Sequence, residues 1–321
     1  MHFDVFNGDA DGLCALNQLR LAQPAASRLV TGVKRDITLL ERVRAEAGDE
    51  VLVLDIALKQ NRKALDAVLQ AGARVRYFDH HVPGDIPDHP HLEAHIDIRP
   101  DVCTSLLVNA SLGGRYLAWA VVAAFGDNLR EAALQAAQPL HLPSDALAKL
   151  ERLGEYINYN AYGESVEDLL YPPEALYRLI NRYPDPLEFV ASETAFVRLA
   201  QGMAGDLAAA RALPPEEARE GGAVYVLPNA DWSRRVVGTF ANELARAAPY
   251  RAHAILTRHA AGGFVVSVRA PWATKLGAEE VCRQFAGGGG RAAAAGINDL
   301  PEAEVARFMA AFHQRFPRAA G

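Results

Sequence analysis

The first 130 residues alternate short apolar runs with stretches whose apolar positions recur at helical spacing. The apolar runs lie at about 3–6, 28–31, 51–54 and 74–78. Helical spacing marks the stretches 13–22, 36–47 and 61–71. Such alternation is typical of a parallel sheet with helices on both faces. It predicts an α/β fold of the doubly wound type, with a mainly parallel sheet.

The composition changes beyond this first part of the chain. Residues 189–219 are rich in Ala, Glu and Arg and contain Leu-Pro-Pro at 213–215, which predicts a connecting helix followed by a boundary. A second, smaller α/β domain is expected from strands at 223–227, 252–257 and 263–268 and a helix at 234–247. The predicted organisation is therefore a first domain at 1–185, a connecting segment at 186–220 and a second domain at 221–321.

The net charge of the chain indicates which kind of substrate it is expected to bind. The 321 residues are 50% hydrophobic, which suits two globular domains with their own cores, and the formal net charge is -6. A broad basic surface for long duplex nucleic acid is therefore not expected, and a short or small phosphorylated substrate fits better.

Cysteine usage and hydropathy indicate the compartment. Cys14, Cys103 and Cys282 are far apart and odd in number, so neither a disulfide framework nor a thiolate zinc site is predicted. The chain has no apolar run of the roughly 20 residues that a membrane span needs, and its N-terminus has no signal-like pattern. We expect a cytoplasmic protein that does not bind membranes.

Acidic and imidazole side chains follow three of the predicted strands. In chain order they are Asp9, Asp11, Asp55, Asp79, His80 and His81. Because the carboxyl ends of parallel strands meet at one edge of a sheet, where ligands bind, these side chains should share a pocket. Crowded carboxylates repel one another unless cations neutralise them, and their number here suggests more than one ion. Carboxylate and imidazole ligands together suit manganese or a similar ion.

Each motif alone also has a simpler interpretation. Asn-Gly-Asp-Ala-Asp-Gly at 7–12 has the composition of a turn, and Asp55 could cap the helix that follows it. The pair His80 and His81 would be costly to bury unless both rings found partners. What favours a metal site is the expected meeting of all three motifs at the same edge.

In order and spacing, four motifs resemble those of the DHH phosphoesterases, the superfamily of RecJ-like and nanoRNase-like proteins. They are Asn-Gly-Asp-Ala-Asp-Gly at 7–12, Val-Leu-Asp at 53–55, Asp-His-His at 79–81 and Phe-Gly-Asp-Asn at 125–128. Only the resemblance singles out Asp127, which otherwise reads as a loop residue at the end of an apolar run. Further along, Val-Ser-Val-Arg at 266–269 and the glycine-rich run at 288–296 are similar to the DHH-associated substrate-binding domain.

The resemblance implies two divalent cations, with Mn²⁺ expected and Mg²⁺ or Co²⁺ as alternatives. By analogy, Asp9 would hold one ion, Asp11 and His80 the other, and Asp55 would bridge them. Asp127 would complete the set, and Asn7 would add a carbonyl ligand. In the same comparison, Asp79 would fix a histidine tautomer, and His81 would orient phosphate or protonate the leaving oxygen.

The implied activity is two-metal hydrolysis of phosphodiester or terminal phosphate bonds in short oligonucleotides or nucleotides. Substrate would be bound by Arg269, Gly288, Gly289, Gly290 and Arg291. From the residues alone, the four consecutive glycines at 287–290 predict either close backbone approach to an anion or a flexible surface loop. Lys34 and Arg35 could also reach a phosphate, or simply form solvated surface.

Two departures from the family pattern keep other functions open. Asn7 stands where RecJ-type proteins have the first Asp of Asp-x-Asp-x-Asp-Gly, and Arg291 stands where a histidine usually follows three glycines. The alternatives are a polyphosphate or pyrophosphate hydrolase and a non-catalytic nucleotide sensor. A homodimer is also left open.

Overall fold

The computed structural model describes residues 1–259 and 261–319. The chain divides into two compact units, Met1–Gly202 and Met203–Gly321. The division falls within one long helix, and the domain limits expected from the sequence remain a prediction. Within the described residues, no helix is both long and apolar enough to cross a membrane.

The first unit contains a five-stranded sheet in which all described pairs are parallel. Its strands are β1 (His2–Phe6), β2 (Arg28–Val30), β3 (Glu50–Leu54), β4 (Arg74–Asp79) and β5 (Leu92–Ile96), in the order β2-β1-β3-β4-β5. The predicted doubly wound α/β fold is therefore confirmed. Strand order reverses between β1 and β3, and the crevice at their carboxyl ends is where ligands bind in sheets of this kind.

Helices cover both faces of this sheet. They are α1 (Ala10–Ala22), α2 (Leu58–Gln70), α3 (Thr104–Ser111), α4 (Leu117–Gly126), α5 (Arg130–Ala137), α6 (Ser144–Asn160), α7 (Pro173–Ile180), α8 (Pro186–Ser192) and α9 (Thr194–Arg211). Residues alternate along β3, so that Leu52 and Leu54 join a core with α1 and α4 whereas Val51 and Val53 join a second core with α2. Two apolar layers thus hold the strand ends in place.

The sequence prediction was wrong at 36–47, where only a short 3₁₀ helix forms, Leu39–Arg42. The side chain of Asn61 donates to the carbonyl of Ile37 at 2.7 Å and accepts from the backbone N–H of Leu40 at 3.2 Å. These bonds satisfy backbone groups that a helix would otherwise pair, while Leu39 and Leu40 are still buried. Strand β5, Leu-Glu-Ala-His-Ile at 92–96, was missed although its apolar and polar residues alternate, because it is a short, half-buried edge strand that includes Glu and Ala, which are depleted in strands.

The second unit contains a six-stranded sheet. Its strands are β6 (Glu217–Ala218), β7 (Gly222–Leu227), β8 (Ala252–Arg258), β9 (Phe264–Arg269), β10 (Gly288–Gly290) and β11 (Ala294–Leu300), in the order β10-β11-β9-β8-β7-β6. Strands β7 and β8 are parallel, and the other described pairs are antiparallel. Three helices accompany the sheet: α10 (Asp231–Ala247), α11 (Ala278–Cys282) and α12 (Val305–Arg315). A smaller α/β unit was predicted here, and this is confirmed.

The end of α9 belongs to the core of the second unit. Leu207 joins an apolar cluster with Val236 and Phe240 of α10. Beside this cluster Asp206 accepts a hydrogen bond from the guanidinium of Arg235 at 2.9 Å, and both residues are buried. A buried arginine depends on such a partner, since an uncompensated charge in a protein interior is strongly destabilising.

Candidate metal centre

Asp9 follows β1 and caps helix α1. Its Oδ1 accepts hydrogen bonds from the backbone N–H groups of Asp11 and Gly12, both at 3.1 Å. A Cβ on Gly8 would lie 1.9 Å from the carbonyl oxygen of Gly32, so only glycine lets the turn pass this close to the loop after β2. The segment 7–12 therefore forms a turn, and the same turn carries Asp9 at the carboxyl end of β1.

Asp11 is fixed by the beginning of α3. Its Oδ2 and Oδ1 accept from the backbone N–H groups of Thr104 and Ser105, each at 2.7 Å, and the Ser105 hydroxyl donates to the Asp11 carbonyl at 2.8 Å. Free N–H groups at a helix N-terminus stabilise a carboxylate. The sequence prediction missed Thr104 and Ser105, although Cys-Thr-Ser before an apolar run is a helix-start signal.

Asp55 follows β3 and is almost fully buried, with its backbone in the left-handed region at φ 58°. Its Oδ1 accepts a hydrogen bond from the Thr104 hydroxyl at 3.2 Å. Burial, followed by repulsion from Asp9, Asp11 and other carboxylates, raises the pKa of Asp55 well above its usual range. A positive φ is unfavourable for a residue other than glycine, and such strain is often found at functional sites.

His80 is oriented by a backbone carbonyl. Its Nδ1 lies 2.9 Å from the carbonyl oxygen of Val102, so in the neutral ring Nδ1 carries the proton and Nε2 keeps its lone pair. That Nε2 lies 3.5 Å from Asp55 Oδ1 and 3.7 Å from Asp127 Oδ2. In this tautomer Nε2 is the ring atom of His80 that could hold a metal ion.

His81 is oriented instead by Asp79, whose Oδ1 lies 2.7 Å from His81 Nδ1. This hydrogen bond, together with the charge of Asp79, outweighs partial burial and raises the pKa of His81. Asp79 is completely buried, and its Oδ2 has no hydrogen-bond partner among the described residues.

Asp127 reaches the cluster because two helices pack closely. Gly126 ends α4 just before it, and a Cβ there would lie 2.4 Å from the Cβ of Ala10 in α1. Burial raises the pKa of Asp127 to about 6; Lys34 opposes the rise, and Asp11 and Asp9 add to it. The family resemblance was the only reason to single out Asp127, and the structure brings it to the same pocket as Asp11.

Two overlapping groups of side chains have the composition of a metal site. Within each group the ligand atoms lie within 4.8 Å of one another, and the groups are Asp11, His80 and Asp127, and Asp55, His80 and His81. Oxygen and imidazole donors suit Mn²⁺ or Mg²⁺, and the raised pKa of Asp55 reflects burial and repulsion from neighbouring carboxylates, which a bound cation would relieve. The residues therefore fit a divalent ion, and His81 is close enough to join the ligands.

Lys34 lies among the acidic residues rather than on the solvated surface. Its Nζ lies 2.6 Å from Asp9 Oδ2, 3.0 Å from Asn158 Oδ1 and 3.7 Å from Asp127 Oδ1. Burial opposes the charge on Lys34, but Asp9 and its neighbours outweigh this effect and raise the pKa of Lys34 well above its usual range. Arg35, in contrast, is exposed.

Asn7 lies on the same side of the cluster as Lys34. Its Nδ2 donates to the backbone carbonyl of Lys34 at 3.3 Å. Its Oδ1 is buried without a hydrogen-bond partner among the described residues. An unpaired buried carbonyl oxygen is unfavourable, and a cation nearby would remove the cost.

In the second unit, Arg269 and the glycine run lie at one end of the sheet. Arg269 ends β9 opposite Ala294, and Arg291 is exposed in the turn between β10 and β11. The Nε of Arg269 donates to Asn242 Oδ1 at 2.8 Å. Gly288, Gly289 and Gly290 form strand β10, which pairs with β11 at the edge of the sheet.

The three glycines differ in what they contact. A Cβ on Gly288 would lie 1.9 Å from the carbonyl oxygen of Cys282, and Gly290 has φ 144° with the Cα of Ala295 2.5 Å from the Cβ position. The protein therefore needs glycine at both positions for its own packing. At Gly289 no described atom lies within 4 Å of the Cβ position, which leaves room for a ligand.

The fold of this chain is similar to that of RecJ exonucleases and of a phosphodiesterase of known structure. An exonuclease RecJ bound to manganese is 21% identical over 98% of this chain and 89% of its own, with a TM-score of 0.64. RecJ of Thermus thermophilus in complex with Mn²⁺ is 20% identical over 99% of this chain, which spans 53% of that protein, with a TM-score of 0.66. PggH of Vibrio cholerae, a pGpG-specific phosphodiesterase, is 12% identical over 98% and 99% of the two chains, with a TM-score of 0.53.

No protein-family model matches the sequence, and no curated protein sequence matches it. The fold is nevertheless that of the DHH phosphoesterases, as the motifs predicted.

Proposed function

We propose that this chain, which has the DHH phosphoesterase fold, is a phosphoesterase that depends on a divalent metal, with Mn²⁺ preferred. Its substrates would be short oligonucleotides or nucleotides, from which it hydrolyses phosphodiester or terminal phosphate bonds. The observation that supports this most is the pair of carboxylates around His80 Nε2, those of Asp55 after β3 and Asp127 after α4. Without a cation such a group is electrostatically unfavourable.

The ligands in this proposal are Asp11, Asp55, His80 and Asp127. A bound divalent ion polarises a phosphoryl oxygen and lowers the pKa of water, which favours attack on phosphorus. Thr104 and Ser105 hold the Asp11 carboxylate, and Val102 holds the His80 ring, so that the donor atoms keep their directions before metal binds. Such fixed ligands reduce the reorganisation needed on binding.

His81 is proposed to donate a proton to the leaving oxygen. The partnership with Asp79 keeps the ring protonated to higher pH than an isolated histidine. A positioned acid of this kind contributes about 10²–10⁴-fold to rate. Asp79 would then act through His81, since its own carboxylate is fully buried.

Substrate binding is assigned to the second unit. Arg269, Arg291 and the open backbone at Gly289 offer a guanidinium-rich end of the sheet at which a phosphate could bind. The similarity to PggH, a pGpG-specific phosphodiesterase, supports a dinucleotide-sized substrate.

The test is Mn²⁺-dependent turnover on a panel of substrates: di- to pentanucleotides, 3′,5′-bisphosphate nucleosides, linear dinucleotides and polyphosphate. Wild type is compared with Asp55→Ala and His80→Ala, and with the exposed controls Asp88→Ala and His91→Ala. We expect turnover of an oligonucleotide or nucleotide, lost by at least ~100-fold in the first two variants and unchanged in the controls.

Other outcomes decide against the proposal. Turnover of polyphosphate alone would favour the phosphate-polymer hydrolase. Turnover that survives Asp55→Ala and His80→Ala would place the active site elsewhere, and nucleotide binding without turnover would favour the sensor.

A further inference from the structure

We infer that the ammonium group of Lys34 takes the place of a second divalent ion, so that the centre holds one ion rather than two. This rests on the proposed function in identifying Asp11, Asp55, His80 and Asp127 as the ligands of the first ion. It revises the expectation of two ions, in which Asp9 would ligate one of them.

Both carboxylate oxygens of Asp9 already have hydrogen-bond or ion-pair partners. Its Oδ1 accepts two backbone N–H groups, those of Asp11 and Gly12, and a carboxylate oxygen has two lone pairs. Its Oδ2 lies 2.6 Å from Lys34 Nζ. Each oxygen of Asp11 accepts one backbone N–H group and keeps a lone pair for a metal, whereas the one lone pair left on Asp9 Oδ2 lies beside the Lys34 ammonium. Asp9 belongs to neither of the two groups of clustered ligand atoms.

The ammonium of Lys34 lies where a second metal ion bound to Asp9 would have to lie. Lys34 Nζ contacts Asp9 and Asn158 and lies 3.7 Å from Asp127 Oδ1, so it faces the two carboxylates from one side. A divalent ion on the same oxygen of Asp9 would lie within a few ångströms of this charge. Like charges at such distances repel strongly in a partly buried site.

Contacts of both its backbone and its side chain hold Lys34 in position. Its backbone N–H donates to the carbonyl of Ala161 at 2.9 Å, and its side chain is only 28% exposed. The Nζ also lies 5.8 Å from the centroid of the Tyr162 ring, within range of a cation–π interaction. Backbone, amide and ring contacts together make it part of the site.

Asn7 and Lys34 each change the net charge of the centre, in opposite directions. Relative to the Asp-x-Asp-x-Asp-Gly pattern, Asn7 removes one negative charge beside Lys34. Replacing a divalent ion by an ammonium removes one positive charge at the same side. The two changes cancel, so Asn7 and Lys34 together preserve the net charge of a centre with two ions.

The experiment counts bound Mn²⁺ without substrate, by calorimetric titration and by electron paramagnetic resonance, which distinguishes an isolated ion from a spin-coupled pair. Four proteins are compared: wild type, Lys34→Met, Lys34→Met with Asn7→Asp, and the control Arg35→Met. We expect one ion in wild type and in the control, and two coupled ions in the double variant. Lys34→Met should bind a second ion more weakly than the double variant does.

Two ions in wild type would overturn the inference, and so would one ion in a double variant whose circular dichroism is native. Because no substrate is present, this count is independent of turnover. A wild-type protein that binds one ion but hydrolyses nothing would refute the proposed function and leave the role of Lys34 standing.

Discussion

The hydroxyl of Thr104 lies 3.2 Å from Asp55 Oδ1, while the backbone N–H of the same residue lies 2.7 Å from Asp11 Oδ2. One residue at the beginning of α3 thus contacts two candidate ligands. We expect Thr104→Val, which keeps the shape and removes the hydroxyl, to weaken Mn²⁺ binding by roughly tenfold through loss of orientation at Asp55. Calorimetric titration measures this affinity directly.

The matched control is Thr38→Val, the same substitution at an exposed position. An equal loss of affinity in both variants, or no loss in Thr104→Val, would show that the Thr104 hydroxyl does not position Asp55.

Asp127 makes the stability of the metal-free protein depend on pH. Its pKa is about 6 in the folded protein and near 3.8 when unfolded, so between these values the folded state holds a proton that the unfolded state has lost. Its contribution to the free energy of unfolding therefore falls as pH rises from about 4 to above 6. We expect the stability of Asp127→Asn relative to wild type to increase over this range by on the order of 3 kcal/mol.

Urea unfolding in chelator at pH 4 and pH 7 gives this difference. Asp88→Asn, at an exposed position, should show no such trend. A constant difference between Asp127→Asn and wild type would contradict the raised pKa. Mn²⁺ should stabilise wild type more than Asp127→Asn, in which an amide replaces one of the carboxylate ligands.

Asp79→Asn is expected to lower the pKa of His81. The raised pKa comes first from the hydrogen bond to Asp79 and also from its charge, and an amide supplies no charge. The imidazolium would then lose its proton at lower pH, and the alkaline limb of the pH–rate profile should move to lower pH if His81 is the proton donor. Proton NMR titration of His81 in wild type and variant measures the shift.

The matched control is Asp88→Asn at an exposed position, which should leave the titration of His81 unchanged. A displaced NMR titration with an unmoved alkaline limb would separate His81 from the proton transfer.

The glycine run allows stability and binding to be separated. Gly288→Ala would place a methyl group against the carbonyl of Cys282, and we expect it to destabilise the protein by ~1–3 kcal/mol. Gly289→Ala meets no described atom and should leave thermal unfolding unchanged while it weakens substrate binding. Equal effects of both substitutions on unfolding would refute this division of roles.

Most of the fold could be predicted from periodicity, because β1, β3 and β4 are mostly buried and each carries several apolar residues between the helical stretches. The helix prediction failed where a side chain distant in sequence takes up backbone hydrogen bonds. At 36–47 the apolar spacing was real, but Asn61 pairs with that segment across the fold and prevents a helix. Strand β5 does alternate apolar and polar residues, but its signal is weak because Ala94 adds little apolar surface and the strand is only half-buried at the edge of the sheet.

The candidate site was only partly accessible to sequence reasoning. Carboxylates at strand ends follow from topology, so the pocket around Asp9, Asp11 and Asp55 could be anticipated. Contacts that depend on the packing of separate helices could not: Ser105 approaches from α3 and Asn158 from α6. Lys34 was noticed, yet a loop lysine gives no sign that it turns towards carboxylates.

The buried pair of Asp206 and Arg235 limits how this protein can be cut into pieces. A recombinant fragment beginning at residue 221 would keep Arg235 but lose Asp206, and with it Leu207 of the same apolar cluster. Its interior would lose the carboxylate that Arg235 contacts, and a face of α10 would be uncovered, so such a fragment should aggregate. Expression of the C-terminal unit by itself should therefore begin before Met203.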